Sequence, residues 1–163
     1  MTKLPDNQAL LELFRDGYSD REIGEMYDVT PAAVNKRLGL MGIQRAPYRA
    51  TATAIVDMAW PKGERPEEYT FLNRARELYA FVRWRLGDPK LTPKQIKAAE
   101  RFASYSREQD VVLTLDLTQS NPWVWVPRLP EDGQLVLRWP GGRELPKGPH
   151  LEAITLPPVR AAE

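Results

Sequence analysis

The chain has no cysteine and a single histidine, His150. The first absence excludes a disulfide framework and a thiolate metal site, and one imidazole cannot build a histidine zinc site, so neither a metal nor a cofactor is expected. Long apolar runs are missing as well. Nothing approaches the roughly 18 residues of a membrane-spanning helix, and the N-terminus lacks the basic-then-apolar order of a secretion signal. A cytoplasmic protein with no membrane partner is expected. An excess of one charge is also absent: 23 Lys and Arg face 22 Asp and Glu, for a net charge of +1. The molecule is therefore no polycation, and any nucleic-acid footprint must come from local asymmetry. A catalytic constellation is lacking too. Glu108, Asp110 and Asp116 lie near one another in sequence, but the alternation around Asp116 suits a solvated strand residue, and an enzyme is not expected.

What the chain does have is a stretch from Ser19 to Gly39, SDREIGEMYDVTPAAVNKRLG, that reads as a helix-turn-helix. Ser19 and Glu22 form a capping box for a first helix. Ile23, Met26 and Tyr27 give that helix apolar side chains, and Gly24 leaves room for a second helix to cross closely. A turn through Tyr27, Asp28 and Val29 follows. Asp28 stands where such motifs often carry Gly, and Asp tolerates the positive φ this requires better than most residues. Thr30 then caps a second helix with Pro31 at its first position, where a missing N–H costs nothing. Val34 and Leu38 point inward, which leaves Thr30, Pro31, Ala32, Asn35 and Lys36 near the end that enters the major groove in this motif. Asn35 can pair with adenine, Ala32 and the Thr30 methyl can touch a thymine methyl, and Lys36 can reach guanine or phosphate. Ser19, Arg21 and Arg37, with Gln44, Arg45 and Arg49 in the connector Met41–Arg49, are candidates for backbone or arm contacts. That connector reads equally as a plain linker or as an arm entering the minor groove.

The fold class expected is mainly α with a small antiparallel sheet: an N-terminal helix-turn-helix domain (1–46), a linking helix (47–61), a C-terminal α+β domain (62–140) and a Pro/Gly-rich irregular or disordered tail (141–163). A first helix from about Asp6 to Asp16, with Leu10, Leu11, Leu13 and Phe14 as its stripe, ends at Gly17. Ala50–Met58 reads as a helix that buries Ala54, Ile55 and Met58 and stops at Trp60-Pro61. A long helix from Pro66 to Leu86 places Leu72, Ala75, Tyr79, Val82 and Leu86 inward. On its outer side Asn73, Arg76 and Arg83 could stand along one groove, with Arg74 and Arg85 elsewhere; solvation or pairing with carboxylates is an equal reading. Thr92-Pro93 starts another helix with a basic outer face of Lys94, Lys97 and Arg101. Three alternating runs, Val111–Leu117, Trp123–Val126 and Gln134–Trp139, give the sheet, and Trp123, Trp125 and Trp139 are assigned to its core.

The order of these parts, GYSDREIGEMYDVTPAAVNKR, a helix ending in Trp60-Pro61, FLNRARELY, then REQDVVLTLDL and a Trp-rich hairpin, resembles the cluster A immunity repressors of temperate mycobacteriophages, as far as about residue 140. That resemblance implies a transcriptional repressor that maintains lysogeny and superinfection immunity. Such a protein binds double-stranded DNA at asymmetric operator and stoperator sites as a monomer in the host cytoplasm, associated with the nucleoid. It places base reading on Thr30, Ala32, Asn35 and Lys36, and a second contact surface on Arg74, Arg76 and Arg83. Two alternatives remain open on the residues alone: a small terminase-like packaging adaptor and a general bacterial transcription regulator.

Overall fold

The computed structural model describes residues 3–158. Residues 1–2 and 159–163, which include the end of the expected tail, lie outside the described residues. The architecture is mainly helical with a small antiparallel sheet.

Local chemistry fixes the first three helices. Helix α1 (Asn7–Asp16) begins at Asp6, whose carboxylate accepts the Ala9 N–H at 2.8 Å, and stops at Gly17, which adopts φ 97°. Helix α2 (Asp20–Tyr27) opens with the expected capping box: the Glu22 N–H donates to Ser19 Oγ and the Ser19 N–H to Glu22 Oε1, each at 3.0 Å. Asp28 ends α2 in the left-handed region at φ 53°. Thr30 Oγ1 then accepts the Ala33 N–H at 3.2 Å and starts helix α3 (Pro31–Leu40) with Pro31 in its first turn. Leu10, Ile23, Val34 and Leu38 are fully or almost fully buried between the helices, with Leu13, Phe14, Tyr27 and Ile43 around them. Met26, expected to face inward, is 49% exposed, because the inward row of α2 runs through Ile23 and Tyr27 and leaves Met26 to one side.

The room left by Gly24 is filled by the turn and not by a crossing helix. A Cβ there would stand 2.6 Å from the Val29 carbonyl oxygen, while the Val29 N–H donates back to the Gly24 carbonyl at 2.9 Å.

The second body is larger. Helix α4 (Tyr48–Ala59) buries Ala52, Ile55, Val56 and Ala59. Its inward stripe is thus rotated from the expected one, and Ala54 and Met58 are exposed. The helix does not merely link two halves, since those four side chains and Trp60 belong to the larger core. The continuous helix expected from Pro66 breaks into a 3-10 turn (Glu67–Phe71), an extended Leu72 with ψ 150°, and helix α5 (Asn73–Arg85). The cause is the buried Arg65. Its guanidinium donates to the Trp60 carbonyl, to Thr70 Oγ1 and to Asp57, tying the segment to the end of α4. Helix α6 (Pro93–Glu108), capped by Thr92 and Gln95, packs along α5, with Phe81 and Phe102 ring centroids 5.3 Å apart.

Strands β1 (Val111–Leu115) and β2 (Trp123–Pro127) pair antiparallel, with Leu113 opposite Trp125. Trp123 is fully buried and meets Trp60 edge to face at 5.4 Å. The third run is not a further antiparallel strand. It lies parallel to β1 through a single bridge, Leu113 to Leu137, and its other side bridges Leu135 to Thr155. The tail, expected as irregular or disordered chain, is irregular over 140–147 and, among the described residues, ordered and packed beyond that. Helix α7 (Gly148–Glu152) packs against α1, and Ala153 and Ile154 are fully buried in the larger core. The cause is hydrogen bonding: the Val136 N–H donates to the Ile154 carbonyl, and the Leu156 N–H to that of Gln134.

Gly24→Ala is expected to lower stability by about 1–3 kcal/mol, since the added methyl meets backbone that cannot move aside. Asp28→Val is expected to cost about 1–2 kcal/mol, and Asp28→Gly much less. Urea unfolding followed by circular dichroism measures all three.

Candidate nucleic-acid interface

Helix α3 divides its side chains cleanly. Val34 and Leu38 sit at 0% and 2% exposure, and Thr30, Pro31, Ala32, Asn35 and Lys36 are all exposed. The last four sit on the first six residues of the helix. The Thr30 hydroxyl is engaged as the cap, so its methyl is what remains to offer a partner. Neither the Asn35 nor the Lys36 side chain has a hydrogen-bond or ion-pair partner among the described residues, and both residues are exposed. An amide, an ammonium and small apolar groups thus share one accessible helix end.

The flanking candidates separate into two groups. Arg49 and Gln44 are exposed, and their side chains are unpartnered among the described residues. Arg21 is exposed, and among the described residues its side chain forms only a surface pair with Glu25 at 3.3 Å. Such a pair is worth well under about 1 kcal/mol, so Arg21 stays available. Ser19 is committed to its capping box. Arg45 is no free arm: it donates to Asp20 at 2.7 Å and to the Tyr18 carbonyl at 2.9 Å, and its guanidinium lies 5.3 Å from the Phe14 ring centre. Arg37 turns back to the start of α1, donating to Asn7 Oδ1 and the Pro5 carbonyl.

The same division runs through the proposed second surface. Arg74 donates to the Trp123 carbonyl, forty-nine residues away, and anchors β2 to α5. Arg83 forms a 2.8 Å pair with Asp88 in which the two side chains are 12% and 3% exposed. Arg85 donates to the Thr155 carbonyl. These three hold the body together, and the expectation of contact by Arg74 and Arg83 gives way to that role. Asn73 and Arg76 are different. Both are exposed in the first turns of α5, without partners among the described residues, beside the exposed Phe71 and Leu72. On α6, Lys94, Lys97 and Arg101 are likewise exposed and unpaired among the described residues. The sequence marked that face as basic but assigned it no site; its spacing of three and four was the available signal.

Two of the three carboxylates set aside at the outset have partners within the chain. Asp116 accepts the Thr118 hydroxyl at 2.6 Å and closes a turn, and Asp110, at φ 52°, pairs with Arg128. Among the described residues no three His, Asp or Glu cluster as metal ligands, and no helix is long and apolar enough to cross a membrane. In comparisons with known proteins, no family model and no curated protein matches the chain.

Burial alone pushes the Asp88 carboxyl up, but the Lys90 N–H and the Arg83 guanidinium outweigh it and hold that carboxyl below the ordinary range. Its contribution to stability is therefore present above the ordinary carboxylate pKa of about 4 and is lost as pH falls from there through the lowered value. Arg83→Ala is expected to cost about 3 kcal/mol or more near neutral pH, because it strands a buried carboxylate. The gap between variant and parent should narrow as pH falls below the ordinary carboxylate range, as thermal unfolding across pH will show.

Proposed function

We propose that this protein is a sequence-specific double-stranded DNA-binding protein, with α3 as the helix that reads bases in the major groove. The observation that carries the reading is the pairing of a buried Val34–Leu38 row with an uncovered Pro31, Ala32, Asn35 and Lys36 on the same short helix. Asn presents a donor and an acceptor at the spacing of an adenine edge, and Lys suits guanine or phosphate. Arg21, Gln44 and Arg49 supply phosphate contacts, which set affinity and its salt dependence but carry no sequence information. Asn73 and Arg76, together with the α6 cations, form the second surface of this reading.

The likeness to mycobacteriophage immunity repressors supports a more specific role: a repressor that maintains lysogeny by occupying asymmetric operator and stoperator sites as a monomer in the bacterial cytoplasm. Energetics favour two surfaces on one chain. A good bidentate contact discriminates by about 1–3 kcal/mol, too little for a single short helix to choose one site in a genome. A tethered second surface raises effective concentration without a dimer.

The test begins with selection from a randomised duplex library by the full chain, followed by anisotropy titration of the recovered duplex and its single-base variants. Enrichment of a defined sequence supports the reading, and its absence overturns it. Asn35→Ala should weaken binding by roughly 10-fold or more and relax preference at one base position. Wild-type affinity across the variant panel would remove Asn35 from the reading set. Arg76→Ala should weaken binding about equally on all duplexes and reduce the salt slope by about 1.

A further inference from the structure

The three-helix unit and the larger body each bury their own cluster of side chains. What joins them is therefore as informative as either core. One junction consists of two aromatic rings, each seated on a glycine of the other part. The His150 ring, on α7, lies over Gly17 so closely that a Cβ there would stand 2.3 Å from His150 Cδ2. The Tyr18 ring, next to Gly17, lies over Gly148 at the start of α7, where a Cβ would stand 2.9 Å from Tyr18 Cε2. Both glycines adopt positive φ, 97° at Gly17 and 60° at Gly148. Each position thus needs glycine for its backbone and again for the ring above it.

The neighbourhood reinforces the contact from both sides. The Tyr18 carbonyl accepts from Arg45, so the connector after α3 is fastened to the same point. His150 also has a hydrogen bond with the Arg15 backbone, near the end of α1. Burial pushes its imidazole below the ordinary range, against the pull of Asp16 and that hydrogen bond, which leaves a neutral ring suited to packing. On the other side α7 is continuous with Ala153 and Ile154, fully buried in the larger core. A displacement of α1 would have to separate two interlocked ring–glycine contacts before the units could swing.

We propose that Tyr18 and His150 are positioning residues: interlocked through Gly17 and Gly148, they fix the bearing of the three-helix unit on the C-terminal body and so hold α3 at a set separation from the second contact surface. Its consequence for DNA rests on the reading given above; the latch itself does not. A rigid junction makes binding by the second surface intramolecular with little orientational cost, whereas a loose one forfeits much of that gain.

The absence of cysteine makes the test direct. Met26→Cys on α2 and Ser104→Cys on α6, both exposed positions, accept spin labels in the full chain. Pulsed dipolar spectroscopy without DNA should give one narrow distance distribution. His150→Ala, and separately Gly148→Ala, should broaden or shift it, while circular dichroism and amide exchange of the buried residues in both cores stay as in the parent. Distributions that remain narrow and unmoved in both variants overturn the latch. If either variant loses core protection, the other decides, and Tyr18→Leu on the opposite side serves if both do. Affinity for the duplex recovered from the randomised library should fall roughly 10–100-fold in the loosened variants. The dependence on each base position probed by α3 should be retained. A loosened junction with parental affinity overturns the positioning role. A parent chain that binds no duplex defeats the DNA reading alone, and the label distances still judge the latch.

Discussion

The close approach of the Val29 carbonyl to the α carbon of Gly24 sets the geometry on which the N-terminal unit depends. Four fully or almost fully buried side chains form its core. Burial of that size supplies about 6–12 kcal/mol before conformational entropy is counted, so little is left to correct a misplaced helix. The turn does the placing. With Asp28 in the left-handed region and the Val29 N–H returned to the Gly24 carbonyl, the rotation of α3 is fixed within a few residues of the end of α2. Val34 and Leu38 then face inward, and Asn35 and Lys36 are left facing out.

The larger body shows a different economy, in which arginines act as tethers. Arg65, Arg74, Arg83, Arg85, Arg128 and Arg138 all donate to carbonyls or carboxylates within the chain. Arg128 alone reaches the Gly133, Leu135 and Val111 carbonyls, Ser106 Oγ and Asp110. A guanidinium suits this work because its five donors lie in one rigid plane and its charge is weakly hydrated. In a body with few regular strands, such tethers satisfy carbonyls that a wider sheet would have paired. The cost is that part of the positive charge is turned inward, while exposed cations remain on every helix from α1 to α6, among them Lys36, Arg76 and the α6 row of Lys94, Lys97 and Arg101.

These two regimes explain what could be read from the sequence. The caps and turns set by immediate neighbours were legible: the Ser19–Glu22 box, the Thr30-Pro31 and Thr92-Pro93 starts, the left-handed Asp28, and the exposed end of α3. What depended on where an arginine side chain is tied was not. Arg76 and Arg83 look alike on a helical projection, yet one is exposed and unpaired among the described residues and the other is held by Asp88. Arg74 and Arg85 find their carbonyls 49 and 70 residues away, which no local spacing announces. The segment after Trp139 misled for a related reason. Its prolines and glycines match the composition of irregular chain, but Ile154 and Leu156 are hydrophobic anchors whose backbone partners, Val136 and Gln134, lie in another run.

That third run has a consequence for how the sheet meets other molecules. A two-stranded ribbon ordinarily leaves both flanks open, and open flanks invite strand addition and aggregation. Here the flank of β1 is taken by the parallel segment around Leu137. Along β2, the Trp123 and Pro127 carbonyls are already claimed by Arg74 and Arg138, and Pro127 has no N–H to offer. A foreign strand arriving at this side would have to displace guanidinium groups to gain a register. The same tethers that close the interior therefore also occupy part of the edge that a foreign strand would need.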